Sequence, residues 1–306
     1  MHELPSPHHA LRGLRALLNG FSQVLLQSHP GFGLLLVLGL AAEAPALLGG
    51  ALLGGLSGML TAQRRGYPQA DIEIGLYGYN GILLGLLISL QFAWSLIVPL
   101  LIIASAGLSS LILAPWMQGM RKRRWLPAFT FPFVALSWLL LSLAPAMGLQ
   151  AQPGPLVTAA TLDWLGTLSG MALGLAQVIF LDSPWAGLLM LLGLFLAARR
   201  AACWALLGSA CGLGLALLLG APQERALAGL YGYNGALAAI ALSQVQRRPW
   251  VVLLGIGMAT LLQLGLSSLG LQALTLPFIL ACWLIQTGAQ GWQRAVKAGV
   301  PGRQSH

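Results

Sequence analysis

Four pairs of polar or aromatic residues recur at matched places along this chain, and their types limit the chemistry it can perform. The pairs are Gln23 with Gln177, Tyr79 with Tyr233, Asn80 with Asn234, and Thr130 with Thr275. None of these side chains is charged at neutral pH, so together they offer amide and hydroxyl groups beside flat rings. Such groups suit a small, planar, uncharged solute that has several N–H donors. Urea has these properties, and so do other small amides.

The paired residues lie in longer segments that occur twice in the same order. The repeated pieces are GLYGYNG at 75–81 and 229–235, SQVLLQ from Ser22 with AQVIFL from Ala176, and TFPF from Thr130 with TLPF from Thr275. Three motifs repeated in one order indicate a duplication. We therefore predict two homologous halves, residues 1–150 and 151–306.

The composition restricts the class of protein that can carry these residues. Of the 306 residues, 57% are hydrophobic and only 8% are charged, and the mean hydropathy is +0.80. Soluble domains carry roughly 25% charged residues, and disordered chains are poor in apolar ones. A membrane-crossing helix needs roughly 20 residues. We therefore expect an all-α polytopic membrane protein, with no room for a soluble catalytic domain.

Apolar runs predict five transmembrane helices in each half, together with one re-entrant half-helix that carries GLYGYNG. The predicted spans are about 12–28, 31–42, 45–62, 95–114 and 128–145, then 163–181, 185–198, 201–219, 250–268 and 274–290. An odd number of crossings per half gives two inverted halves, and broken segments at matching places often mark a transport site. If the GLYGYNG segments crossed fully as further spans, the halves would be parallel instead.

The basic residues predict an orientation. Of the 16 Lys and Arg, this topology places Arg64, Arg65, Arg199 and Arg200 outside and the others inside. Basic residues favour the cytoplasmic side, so we expect both termini in the cytoplasm. The net charge of +9 is explained by these loops, and no nucleic-acid partner is expected. Three cysteines without a CxxC pair predict no metal site, and HExxH, GxSxG and GxxxxGK[ST] are absent.

Six motif copies carry a resemblance to a known family. They are FSQVLLQSHPGFG at 21–33, GLYGYNGILLG at 75–85, LPAFTFPF at 126–133, LAQVIFLDSPWAG at 175–187, GLYGYNGALA at 229–238 and LQALTLPF at 271–278. With these motifs the chain resembles the urea transporter family over nearly its whole length. The resemblance implies passive, channel-like urea transport through a narrow neutral filter in each protomer of a homotrimer. It implies a bacterial inner membrane protein surrounded by membrane lipid, with no cofactor, metal or enzymatic activity.

The resemblance also implies roles for individual residues. Gln23 and Gln177 match filter positions at two wider binding sites, and Thr130 and Thr275 match the central constriction. The positions that match the slot walls are Tyr79, Leu83, Tyr233, Leu237, Leu26, Val178 and Phe180. Leu26 stands where aromatic residues are common, which predicts a wider slot. Gln177 stands where some members have Glu, so we expect a neutral filter with weak pH dependence.

Other interpretations of the same residues remain open at this point. A coupled secondary transporter of another small amide or amine would use a buried acid, for which Glu43 and Asp182 are candidates, although both also suit helix caps or mouth residues. The glutamines could hold helices together, and the threonines could bond to their own helices. Asn80 and Asn234 suit the support of irregular backbone. An intramembrane enzyme would need a nucleophile and a base, and the sequence shows no such pair.

Overall fold

The computed structural model describes residues 7–153 and 161–298, which form an all-helical protein. Its fourteen α-helices are α1 Pro7–Gln23, α2 Pro30–Glu43, α3 Pro45–Arg64, α4 Gln69–Glu73, α5 Tyr79–Gln91, α6 Ile97–Arg123, α7 Phe131–Leu143, α8 Trp164–Ala176, α9 Pro184–Ala197, α10 Arg199–Leu218, α11 Gln223–Leu227, α12 Gly232–Val245, α13 Pro249–Ser268 and α14 Leu276–Ala298. A 3-10 turn, Gln177–Ile179, follows α8. The predicted boundary between the halves, after residue 150, lies shortly before residues 154–160, which are outside the described residues.

Four helices in the described ranges are long and apolar enough to cross a membrane: α3, α6, α10 and α13. A fifth candidate is the pair formed by α8 with its 3-10 turn and α9, which bends by 76° at a short break. The helices α2, α5, α7, α9 and α12 have 13 or 14 residues. At ~1.5 Å per residue they span about 20 Å, less than the ~30 Å hydrocarbon core. The chain is a polytopic membrane protein, and ten crossings stay a prediction.

Prolines mark the starts of four helices. Pro30, Pro45, Pro184 and Pro249 each occupy the first helical position, where the missing N–H costs nothing. This is why the predicted starts of these four helices agree with the structure to within one residue. Asp163 caps α8 by accepting a hydrogen bond from Gly166 N at 2.6 Å, and this bond lowers the pKa of the Asp163 carboxyl.

Four predicted helix ends are wrong. Two of them are in the second half, where α8 ends at Ala176 rather than near residue 181 and α14 continues to Ala298 rather than ending near residue 290. The first helix ends at Gln23 rather than near residue 28, because the chain turns at Leu26, whose φ is 59°. Ser22 Oγ then accepts a hydrogen bond from His29 N at 3.0 Å and fixes this turn. The helix α6 continues through Pro115 to Arg123, where an end near residue 114 was predicted. A proline inside a membrane helix is tolerated when neighbouring groups satisfy the freed backbone.

Glycine seams bring pairs of helices into backbone contact in both halves. A Cβ added to Gly54 of α3 would lie 2.0 Å from Gly81 O of α5, and one at Gly85 would lie 1.9 Å from Gly50 O. In the second half, a Cβ at Gly208 of α10 would lie 2.5 Å from Gly235 O of α12. Small residues of this kind allow close helix packing in membranes. These seams hold the GLYGYNG helices α5 and α12 firmly in place.

Contacts between elements show which helix ends lie together. Arg121, in the last turn of α6, forms an ion pair with Asp71 of α4, in which Arg121 Nη2 donates to Asp71 Oδ1 at 2.6 Å and to Oδ2 at 2.7 Å. Arg12 and Gln69 line one cavity together with Gly66, which follows α3. The starts of α1 and α4 and the ends of α3 and α6 therefore share one end of the molecule. We call it the basic end.

The second half adds its basic residues to the same end. Arg200 Nη2 donates to Gln246 O at 3.3 Å, so α10 starts where α12 finishes. Gln244 Nε2 in turn donates to Leu26 O at 3.2 Å, and Trp283 Nε1 donates to Pro127 O at 2.8 Å. These bonds join the end of α12 and the middle of α14 to the basic end of the first half.

The opposite end gathers different elements. Gln91, at the end of α5, lines a cavity together with Arg225 and Ser267. Trp138 Nε1 of α7 donates to Gln272 O at 2.8 Å, close after α13. The end of α5 thus meets the ends of α11 and α13, while the end of α12 meets the turn between α1 and α2. The two halves therefore run in opposite senses.

These contacts correct the predicted distribution of charge. Arg64, Arg65, Arg199 and Arg200 do not face away from the other basic residues. Of the Lys and Arg side chains that the structure describes, only Arg225 lies at the opposite end; the basic end holds Arg12, Arg15, Arg64, Arg65, Arg121, Lys122, Arg123, Arg124, Arg199, Arg200, Arg247 and Arg248.

The predicted distribution of charge is wrong because it treats the apolar runs of α8 and α9 as two separate crossings. The pair α8 and α9 is bent by 76° at a short break, which makes it a broken span or a re-entrant loop rather than two separate full spans. The GLYGYNG helix α5 has only 13 residues and ends at Gln91 on the opposite end, and its length is that of a half-spanning helix.

Candidate functional site

The two paired glutamines lie at equivalent breaks after α1 and α8. Gln23 Nε2 donates to Ile74 O at 3.0 Å, and Gln177 Nε2 donates to Ala228 O at 3.2 Å. Each acceptor carbonyl belongs to the residue just before a GLYGYNG motif. The chain leaves each break through a left-handed residue, Leu26 with φ 59° or Phe180 with φ 60°. Both glutamine side chains are therefore anchored to the start of a GLYGYNG segment.

The threonines meet at the contact between the halves. Thr130 Oγ1 and Thr275 Oγ1 lie 2.6 Å apart, and the residues are 1% and 5% exposed. Thr130 directly precedes α7, and Thr275 directly precedes α14. The structure does not show the alternative in which each hydroxyl bonds back to its own helix. The two hydroxyls instead satisfy each other at the centre of the molecule.

The tyrosines hold the turns that carry the threonines. Tyr79 OH donates to Phe129 O, and Tyr233 OH donates to Leu274 O at 2.7 Å. Phe129 and Leu274 have φ of 45° and 47°, in the left-handed region. A side chain in that region is strained unless its surroundings fix it. The tyrosine hydroxyls supply this support.

Asn80 and Asn234 satisfy the free backbone at the starts of α7 and α14. Asn80 Oδ1 accepts from Phe133 N at 3.2 Å, and Asn234 Oδ1 accepts from Phe278 N at 3.3 Å. The first turn of a helix has N–H groups without helical partners. The asparagines thus support irregular backbone, as expected, but on the neighbouring helices rather than on their own.

Sequence reasoning missed Gln263 on α13. Its Oε1 accepts from Asn234 Nδ2 at 2.5 Å and from Tyr233 OH at 3.5 Å. Gln263 has no amide counterpart in the first half, where the repeat spacing places Ser109. The paired motifs therefore do not point to it. A lone Gln in an apolar helix was the available signal. In the first half Asn80 Nδ2 has no hydrogen-bond partner among the described residues.

A small cavity of about 100 Å³ collects six of the predicted site residues. They are Leu83, Gln177, Val178, Phe180, Tyr233 and Thr275. Phe133, Leu230 and Leu274 complete the lining, and the Phe133 and Phe180 rings are 6.5 Å apart between centroids. A water molecule takes about 30 Å³ of liquid, so the cavity admits a solute of a few heavy atoms. Amide and hydroxyl groups lie there beside flat apolar walls.

The other predicted residues lie around this cavity rather than in its lining. Thr130 reaches it through its bond to Thr275. Gln23, Leu26 and Tyr79 belong to the equivalent region of the first half, where the Leu26 carbonyl accepts from Gln244. Leu237 is buried in the core cluster that also contains Tyr79 and Leu83.

A wider cavity of about 310 Å³ leads from the small one to the end of the molecule that carries Arg225. The two cavities share Phe180, Leu230, Tyr233 and Leu274, and the wider one extends to Gln91 and Arg225. The two cavities together extend from this end to Gln177 and Thr275.

The acidic candidates lie outside the lining of the small cavity. Glu43 is the last residue of α2 and is exposed. Asp182 is also exposed, and its Oδ1 accepts from Gln177 Nε2. Neither caps the following helix, because the N-cap positions belong to Ala44 and Ser183. Asp182 thus touches the cavity lining only through Gln177, and no group of three metal-ligating side chains occurs within residues 7–153 and 161–298.

Comparison with known proteins gives consistent matches. The family described as "Urea transporter" matches residues 14–290 of this chain. The protein "Urea transporter 1" of Ovis aries is 30% identical over 246 residues, which cover 76% of this chain and 63% of that protein. "Urea transporter 1" of Rattus norvegicus is 30% identical over 243 residues, which cover 74% of this chain and 62% of that protein. The chain thus spans a little less than two thirds of the length of these relatives.

Proposed function

Since the chain belongs to the urea transporter family, we propose that it conducts urea passively across the membrane. The observation that carries this proposal is the small cavity, where Gln177, Tyr233 and Thr275 face flat apolar side chains. Urea is planar and uncharged and carries four N–H donors, which suit amide and hydroxyl oxygens. The walls then contact the two faces of the molecule while the oxygens accept from its edge.

The lining of this cavity favours a passive route. Among its described residues there is no carboxylate, lysine, arginine or histidine. Coupled transporters use buried ionisable groups to carry or sense the coupling ion. The exposed positions of Glu43 and Asp182 give no support to a coupled mechanism for another amide or amine.

The first prediction concerns flux in proteoliposomes. The purified protein should raise urea permeability well above that of bare lipid, with a linear or saturable dependence on urea concentration. A proton or sodium gradient should change neither the rate nor the final urea level, because the described lining of the cavity has no carboxylate, lysine, arginine or histidine to hold a coupling ion. Stopped-flow light scattering measures this directly, with water and acetamide as comparison solutes. Accumulation of urea against its gradient would overturn the proposal.

We assign the filter roles on the same basis. Gln23 and Gln177 would accept N–H groups at two wider sites, and Thr130 with Thr275 would form the constriction between them. The walls would be formed by Tyr79, Leu83, Tyr233, Leu237, Leu26, Val178 and Phe180. The matching hydrogen bonds of the two glutamines and of the two tyrosines support equivalent sites on either side of the threonines.

The distribution of basic residues supports an orientation. We propose that the basic end faces the cytoplasm of a bacterial cell at the inner membrane, because Lys and Arg accumulate on that side. The start of α1 lies at this end, and α14 runs toward it. Both termini would then be cytoplasmic, although the terminal residues themselves lie outside the described ranges.

Cysteine labelling tests this orientation. In a background without Cys203, Cys211 and Cys282, the variants Arg64→Cys and Arg247→Cys should react with a membrane-impermeant maleimide from the same side. Arg225→Cys should react only from the other side, because it lies at the opposite end of the molecule. Labelling of the Arg64 and Arg225 variants from one common side would contradict the topology.

The surface suggests two further partners. A groove of about 950 Å³ is lined by Arg247, Arg248 and Trp250 at one end and by apolar residues such as Leu254 and Leu284 along its length. Basic pockets between membrane helices on the cytoplasmic side bind anionic headgroups, so we propose a membrane lipid here. We also propose a homotrimer, in keeping with the resemblance, which native mass spectrometry of the detergent-solubilised protein can test together with lipid retention.

A further inference from the structure

The two glutamine sites differ by one hydrogen bond. Gln23 and Gln177 both donate to the carbonyl before a GLYGYNG motif. Gln177 Nε2 also donates to Asp182 Oδ1. The repeat spacing places Ser28 at the corresponding position of the first half. The near symmetry of the halves is therefore broken by the Asp182 carboxylate beside Gln177.

This carboxylate determines which way the Gln177 amide points. An ionised carboxylate only accepts hydrogen bonds, so it must face the NH2 group and not the oxygen of an amide. With Asp182 and the Ala228 carbonyl as acceptors, both hydrogens of Gln177 Nε2 are used. The remaining polar atom of this side chain is Oε1. Because Gln177 lines the small cavity, Oε1 is the atom available to a solute.

Without the carboxylate the amide has more freedom. The terminal torsion of a glutamine side chain is broad and roughly two-fold, so the amide can turn over and offer NH2 in place of oxygen. A solute that is mainly a hydrogen-bond donor then meets a donor. Gln23, which has a single anchoring bond, is held less firmly than Gln177.

We propose that Asp182 is a positioning residue that fixes the Gln177 amide with its oxygen toward the solute. The site at Gln177 is then the tighter of the two sites and selects solutes that donate N–H groups, namely urea and unsubstituted amides. The inference rests on the proposed function, since the solute in question is urea.

The test measures urea flux as a function of concentration in proteoliposomes. Asp182→Ala should raise the concentration that gives half-maximal flux about five- to tenfold and change the maximal flux less. In a Gln177→Ala background, Asp182→Ala should have no further effect, because a residue that acts only through Gln177 loses its role when Gln177 is gone. Asp182→Asn should restore part of the loss, since its Oδ1 can still accept from Gln177. Ser28→Ala, at the exposed equivalent position, is the matched control and should behave as wild type.

Several results would overturn the inference. They are an unchanged half-maximal concentration in Asp182→Ala, full additivity with Gln177→Ala, and equal effects of Asp182→Asn and Asp182→Ala, which would indicate a role of charge alone. The wild-type measurement separates this from the proposed function. If the wild-type protein conducts no urea, the proposed function fails. If it conducts urea and Asp182→Ala leaves the half-maximal concentration unchanged, the inference alone fails.

Discussion

The double variant Thr130→Val with Thr275→Val is expected to lower urea flux at least tenfold while the protein stays folded. Valine has nearly the shape of threonine but has no hydroxyl, so the constriction keeps its width and loses its polar atoms. A buried polar group without a partner costs about 1–3 kcal/mol. Urea passing two valines leaves N–H groups unpaired, and ~1.4 kcal/mol corresponds to a factor of ten.

The folded state should tolerate this change. The hydrogen bond lost between the two hydroxyls contributes about 0.5–1.5 kcal/mol, a small part of the stability of a protein of this size. Thr260→Val is the matched control, because Thr260 is equally buried and donates only to Ile256 O of its own helix, at 3.0 Å. Its flux should equal that of wild type. Wild-type flux in the double valine variant would remove the threonines from the path.

The second large effect is expected on folding. Gly54→Ala should strongly reduce the yield of monodisperse protein and its melting temperature. The new Cβ would lie 2.0 Å from Gly81 O, whereas ordinary van der Waals contact begins at 3.4 Å. The contact is with backbone, so α3 and α5 must move apart along the whole seam. Overpacking of this kind costs about 1–3 kcal/mol and sometimes more.

A neighbouring glycine provides the control for this experiment. Gly49 lies on the same helix, and a Cβ there would meet nothing within 4 Å. Because alanine has the higher helix propensity, Gly49→Ala should be neutral or slightly stabilising. The two variants are compared by heating each sample and measuring the remaining monodisperse protein by fluorescence-detected size-exclusion chromatography, which gives a melting temperature for each. If both melt like wild type, the seam between α3 and α5 does not have the close contact described above.

Sequence patterns predicted the parts of this protein that depend on local chemistry. Prolines at helix starts gave the beginnings of α2 and α13, because proline fits the first helical turn. Repetition pointed to the glutamines, tyrosines and threonines, and hydropathy gave the membrane class. The family assignment followed from six motif copies and is confirmed by the match over residues 14–290.

The features that sequence could not supply depend on contacts between distant residues. Hydropathy treats α8 and α9 as two runs, and contacts such as the bond from Arg200 to Gln246 show where the chain goes after the bend. Gln263 was missed because it has no counterpart in the repeat. The difference between Asp182 and Ser28 was visible in the sequence, yet its meaning depends on the bond to Gln177.

The contact between Thr130 and Thr275 also has a consequence for synthesis. Thr275 lies at the start of α14, which is synthesised after the other described helices, and domains of long chains generally fold from the N-terminus. Until then, Thr130 and the Pro127 carbonyl, which later bonds Trp283, have no partners from the second half. A nascent chain therefore holds an unfinished polar face in the membrane for most of translation. Termination before α14 should leave a product that quality-control proteases recognise, because the lining of the small cavity then lacks Thr275 and the Pro127 carbonyl lacks Trp283.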